Sequence, residues 1–231
     1  MAQTLALIHT SPTLTPVFRT LCTTEMPDVE VFHMVDESLI QDTIRAGRLR
    51  GVTVRRLLGQ IESAEAAGAD AVLVTCSSIG PGVALAKSLF EMPVIRIDEA
   101  MAEEAIQMGR RIGVAATLRT TLEPTIELLK AKAMQSGRKI EIVESMSEGA
   151  FEAVLTGDVS THDQILAEAL VRDLCDVDVI VLAQASMARV VNELPPGTLH
   201  APVLSSPELA VRRAKEILKG VQDTMLAGAA R

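Results

Sequence analysis

The stretch DAVLVTCSSIGPG, residues 70–82, climbs from an aspartate through an apolar, β-type run to Cys76 and then breaks into Ser-Ser, Gly and Pro. A second stretch, DVIVLAQASMARV, residues 178–190, follows the same plan at an offset of 108, with Gln184 where the cysteine would stand. Further landmarks extend the match. Thr10 pairs with Thr117 at an offset of 107, Pro93-Val94-Ile95 pairs with Pro202-Val203-Leu204 at 109, and Glu99 falls opposite Glu208. Landmarks in constant order at near-constant spacing indicate a duplicated unit.

Strand-like runs occupy 4–10, 29–35, 70–76, 92–98, 111–117, 139–145, 178–184 and 201–207, with amphipathic stretches such as 55–69 and 124–137 between them. Near-continuous Val/Ile/Leu runs alternating with helices predict parallel sheets covered on both faces. The fold expected is therefore α/β, with two pseudo-symmetric Rossmann/flavodoxin-like lobes around a cleft. Residues 1–98 plus about 208–231 are expected to form lobe one, and 99–207 lobe two, the final helix returning to lobe one.

Composition narrows the function. The 231 residues are 48% apolar and 23% charged, with a net charge of −8 and no Trp or Tyr. No basic stripe or aromatic platform is present for nucleic acid. The start, MAQTLALIHT, lacks a basic n-region, and no apolar run approaches the roughly 18 residues of a membrane span. A cytoplasmic protein without membrane or nucleic-acid partners is expected. Three cysteines, far apart, make neither a disulfide framework nor a zinc site. SSIGPG is not a GxGxxG or P-loop, so no nucleotide cofactor is expected, and without a CxxC pair or His cluster no metal is expected either. The basic run 45–56 reads as a solvated loop and helix start.

In open parallel sheets, ligands bind beyond the carboxyl ends of the strands. Four such ends carry the repeated landmarks: His9-Thr10-Ser11, Cys76-Ser77-Ser78, Thr117-Leu118-Arg119-Thr120 and Gln184-Ala185-Ser186. Cys76 lies where helix N–H groups favour a thiolate, whereas Cys22 and Cys175 read as structural. Arg119 could hold a carboxylate bidentately. In EGAFEAVLTGDVSTHDQIL, 148–166, Asp or Thr caps the helix that starts near His162; the alternative is a flap carrying His162 as a proton donor.

The motifs VLVTCSSIGP, MPVIRIDEAM, RIGVAATLRTTLE, DVIVLAQASM and APVLSSPELA together resemble the aspartate/glutamate/hydantoin racemase family, which includes arylmalonate decarboxylase and maleate isomerase. The resemblance implies a cofactor-independent enzyme, assembled as a homo-oligomer, acting on a small carboxylate or cyclic amide. In that family two cysteines, one per lobe, pass a proton across a carbanion. Cys76 matches the first cysteine, Ser77 and Ser78 its carboxylate-holding loop, and Thr117 with Thr120 the second-lobe polar loop. Gln184 departs from the pattern: an amide hydrogen-bonds but does not act as a base. The expectation is an isomerase or racemase with Cys76 as its single thiol acid/base and Gln184 as a binding group. A second base could be His9, Asp98 or Glu99. Alternatives are a decarboxylase, a cis-trans isomerase with nucleophilic Cys76, or a non-catalytic small-ligand binder.

Overall fold

The structure, a computed structural model, describes residues 3–229, and their side chains apart from those of residues 154 and 224–229. The chain divides into two compact units, Met1–Ile97 with Pro207–Arg231, and Asp98–Ser206, termed lobe one and lobe two.

Lobe one runs β1 (Thr4–His9), α1 (Leu14–Glu25), β2 (Glu30–Val35), α2 (Glu37–Ala46), α3 (Gly51–Ala66), β3 (Ala71–Val74), a 3-10 turn (Ser77–Ile79), α4 (Gly80–Ala86) and β4 (Val94–Arg96). Its sheet is wholly parallel, in the order β2-β1-β3-β4. Because strand side chains alternate, Ala6, Ile8, Val72, Val74 and Val94 face Leu57, Ile61 and Val83 of α3 and α4. Leu5, Leu7, Leu73 and Ile95 face the other way, onto Phe18 and Cys22 of α1.

Lobe two repeats the plan with α5 (Glu99–Met108), β5 (Arg111–Ala116), α6 (Arg119–Gln135), β6 (Glu141–Met146), α7 (Ala150–Leu155), α8 (Val159–Asp173), β7 (Val179–Leu182), α9 (Met187–Glu193) and β8 (Val203–Ser205). The order β6-β5-β7-β8 is parallel throughout and reproduces that of lobe one position for position. Ala115, Ile180 and Leu182 pack on Leu166 and Leu170 of α8 and Met187 of α9. The opposite face takes α5 and α6.

The helices that follow the two last strands trade places. After β4 the chain enters α5, a lobe-two helix, and after β8 it enters α10 (Ser206–Ala229), most of which belongs to lobe one. Ala210, Val211, Ala214 and Leu218 of α10 complete the lobe-one cluster around Leu5 and Leu73. Each large apolar side chain buried this way is worth about 1.5–3 kcal/mol.

Two of the repeated landmarks are architectural. The Asp70 carboxylate accepts the Thr4 N–H at 2.7 Å, tying the start of β1 to β3. Its counterpart Asp178 accepts the N–H groups of Arg110 and Arg111 at 2.7 and 2.8 Å, bonds that hold its carboxyl below the usual range. The prolines open the edge strands, where a missing N–H costs nothing. Their carbonyls accept from Val72 and Ile180, each at 2.9 Å. No helix among the described residues is long and apolar enough to cross a membrane.

Candidate functional site

The carboxyl end of β3 delivers Cys76 into the cap position of the turn Ser77–Ile79. The residue is half-buried and continues the face of Val72 and Val74, packed against the α3/α4 cluster. Burial pushes its thiol pKa up. Against this pull the Thr10 hydroxyl, the backbone N–H groups of Ile79 and Ser78, and the Ser78 hydroxyl, all hydrogen-bonded to sulfur. The sequence suggested a thiol poised as thiolate at a helix N-terminus. The donors are there, but desolvation of a sulfur anion outweighs them, and the resting group is a thiol surrounded by donors ready for its anion. Ser77 and Ser78 are themselves buried. A Cβ placed on Gly80 would lie 2.3 Å from Nε of the buried Arg96, so this glycine lets the guanidinium lie against the loop that carries the cysteine.

Lobe two builds the same socket around Gln184. The Thr117 N–H donates to Gln184 Oε1 at 2.6 Å and the Thr117 hydroxyl to the same atom at 3.0 Å. A backbone N–H can only donate, so the amide orientation is fixed: oxygen toward Thr117, Nε2 outward as a donor. Thr10–Cys76 and Thr117–Gln184 are therefore equivalent contacts. Near this end of the sheet, the Thr120 and Ser147 hydroxyls are buried and have no partner among the described residues. Ser147, whose N–H bonds the Ala116 carbonyl beside Thr117, was missed in the sequence because it lies just beyond an unremarkable strand.

The remaining candidates are distributed differently. His9 is fully buried. Its Nδ1 meets Thr75 Oγ1 at 2.8 Å and its Nε2 meets His33 Nδ1 at 2.9 Å. The Thr75 hydroxyl donates to the Ile8 carbonyl, so His9 carries its proton on Nδ1 and both nitrogens are occupied. Its ring stands 5.5 Å from that of Phe18, placing it on the α1 face while Cys76 lies on the α3/α4 face. Burial, with the neighbouring His33, lowers its pKa to about 4. The sequence offered His9 as a candidate second base; strand alternation places its ring on the α1 face of the core.

Ser11 bonds Thr13 on the β1–α1 loop, and Ala185 and Ser186 follow Gln184 into α9. Arg119 opens α6, exposed and 4.0 Å from Glu123. Glu99 is bound to Lys132 at 2.6 Å, and Asp98 is fully buried. Cys22 is core, its thiol pushed up to about 11 by burial. Cys175 is exposed and fills no core position. Among the described residues, no group of three or more His, Cys, Asp or Glu could hold a metal ion.

A sequence model described as Asp/Glu/Hydantoin racemase matches residues 7–214. The chain belongs to that family. A hydantoin racemase of Rhizobium meliloti is 27% identical over 180 residues, covering 76% of this chain and 71% of the relative. The glutamate racemase of Bacillus anthracis superposes with a TM-score of 0.70 at 16% identity, covering 94% of this chain and 82% of that one. The allantoin racemase of Klebsiella pneumoniae does so at 0.67 with 20% identity, covering 94% and 88%. These likenesses establish the two-lobed racemase fold, and family membership supports an isomerase activity of the racemase type.

Proposed function

We propose that this racemase-family isomerase acts without a cofactor on a small cyclic amide or related 2-substituted acid, with Cys76 as the thiol acid/base and Gln184 as a binding group. The observation that carries the reading is the pair of equivalent sockets, one offering four donors to sulfur, the other presenting an oriented amide. Removing a proton beside a carbonyl leaves an enolate, whose developing oxyanion is stabilised by fixed donors. Gln184 Nε2, the Thr120 hydroxyl and the Ser147 hydroxyl are neutral donors suited to such an oxygen. Neutral donors favour an uncharged ureide or cyclic amide over a dicarboxylate, in keeping with the hydantoin racemase likeness.

In the reaction, the Cys76 thiolate takes the α-proton and the thiol returns one; the Thr10, Ser78 and Ile79 donors compensate the anion while it exists. A base with a raised pKa is weaker in population but stronger per molecule, which suits a carbon acid. A decarboxylase is the second reading, favoured by a resting thiol that already holds the proton an enolate would need. The test is α-proton exchange in heavy water, followed by NMR, over a panel of hydantoins, 2-amino acids, 2-hydroxy acids and malonates, with Cys76→Ala as control. Exchange that Cys76→Ala abolishes is expected. Label entering only on loss of carbon dioxide would move the protein to the second reading, and activity surviving in Cys76→Ala would remove the thiol from the chemistry.

A further inference from the structure

We propose that His162 is the acid/base group of lobe two, supplying the proton transfer that Gln184 cannot; the inference rests on the racemase reading above. Inversion at a carbon needs two proton carriers, one for each face, and the socket equivalent to Cys76 holds an amide.

His162 lies in the first turn of α8, which Asp158 caps through the Thr161 N–H at 3.0 Å. It is buried, one turn ahead of Leu166 and two ahead of Leu170, which pack on Ile180 and Leu182. Gln184 continues the alternation of Ile180 and Leu182, so His162 and Gln184 share one sheet face. They also share one end of it. Ile165 lies beside Gly149, in the segment leaving β6. Asp163 bonds Arg189 of α9, the helix that starts immediately after the Gln184 loop, at 2.6 Å.

The ring is oriented for proton transfer. His162 Nδ1 meets Asp163 Oδ1 at 2.8 Å. Arg189, and then His162 itself, hold that carboxyl below its ordinary range, so it is ionised and only accepts. The imidazole proton therefore sits on Nδ1, and Nε2 keeps its lone pair with no partner among the described residues. Asp163 is a positioning residue for the ring and Arg189 for the carboxylate.

The internal repeat makes the case sharper. The core positions Thr53, Leu57 and Ile61 of α3 recur as His162, Leu166 and Leu170 of α8, each at an offset of 109. The lobe-one counterpart of His162 is thus Thr53, a fully buried residue whose hydroxyl has no partner among the described residues. Lobe one has its acid/base group on the strand end and a hydroxyl on the helix; lobe two has an amide on the strand end and an imidazole on the helix. In one direction protonated His162 gives a proton from Nε2 to the enolate carbon and ends as neutral imidazole; in the other the neutral imidazole takes the α-proton, and no oxidant or co-reactant is involved.

The experiment follows deuterium exchange and inversion separately, starting from each enantiomer of 5-isobutylhydantoin and of glutamate, for wild type, His162→Gln and Cys76→Ala. His162→Gln should lower inversion at least 100-fold while one enantiomer still exchanges within a few-fold of wild type. Cys76→Ala should lose that same exchange. The retained exchange also reports that the variant is folded. Asp163→Asn should slow inversion about tenfold and alter the 15N tautomer pattern of His162, which a merely structural role would leave unchanged. Inversion at the wild-type rate in His162→Gln, with Cys76→Ala inactive, overturns the assignment and leaves the racemase reading standing. Loss of both exchanges in a His162→Gln variant with native circular dichroism also overturns it. Absence of any exchange by wild type overturns the racemase reading, and this inference with it.

Discussion

In lobe one, the threonine that ends the first strand gives its hydroxyl to a sulfur; in lobe two, its counterpart gives an N–H and a hydroxyl to an amide oxygen. Both arrangements satisfy the threonine, because a thiolate and an amide oxygen are both acceptors. The hydrogen-bond direction is the same in both lobes, although a thiol can exchange a proton and an amide cannot. The pseudo-symmetry thus constrains which way bonds point, and leaves chemistry free to differ.

The largest effect should come from the sulfur itself. Cys76→Ala is expected to lower turnover by about 10³-fold, on the order of 4 kcal/mol in the barrier, with thermal stability little changed; steady-state kinetics on the best panel substrate checks it. Next is the strand tie at the opposite end of lobe two. A Cβ on Gly109 would stand 2.1 Å from Asp178 Cβ, a rigid part of the side chain. Gly109→Ala should therefore break the Arg110/Arg111 bonds and cost about 3 kcal/mol, read from urea denaturation.

The buried histidine provides a pH test confined to lobe one. A folded pKa near 4 against an ordinary 6.5 means that His9 favours the native state above pH 6.5 and that this contribution is lost as pH falls toward 4. Up to 2–3 kcal/mol, on the order of the shift itself, should disappear across that window, and a His9→Leu variant should show a flatter slope there. Removing the lobe-two amide by Gln184→Leu strands the Thr117 N–H and hydroxyl, for about 1–2 kcal/mol of stability and a raised KM. A variant as stable as wild type would mean that water replaces the amide, weakening the parallel with Thr10. The smallest effect is expected for Arg119→Ala. An exposed pair at 4.0 Å is worth about half a kcal/mol or less, and unchanged kinetics would keep guanidinium anchoring out of lobe two.

Much of this architecture was legible. All eight strands and the duplication could be read from apolar runs and from landmarks such as Asp70/Asp178 and Thr10/Thr117, because parallel strands buried on both faces leave unbroken Val/Ile/Leu signatures. Cys76 was visible for the same reason, standing where such a run ends. The direction of its pKa was not, since desolvation depends on what packs around the sulfur. His9 stands at a strand end like the other candidates, but its burial against Phe18 depends on packing that the local sequence does not display. His162 carried the opposite signal. Its neighbours Gly157 and Asp158 advertised a helix cap, whereas the burial of that first turn depends on how α8 packs on the sheet. Ser147 gave no signal at all, because an unpartnered hydroxyl is a property of the surroundings.

The traded helices carry a consequence for the order of assembly during synthesis. Lobe two is one contiguous segment, so every side chain of its core has been made once residue 206 has left the ribosome. Lobe one is synthesised first yet must wait, because the sheet face of Leu5, Leu7 and Leu73 stays bare until Ala210, Val211, Ala214 and Leu218 arrive. Domains usually mature from the N-terminus as translation proceeds; here the half bearing the thiol is the last to close, and the nascent chain carries an open apolar sheet through most of its elongation.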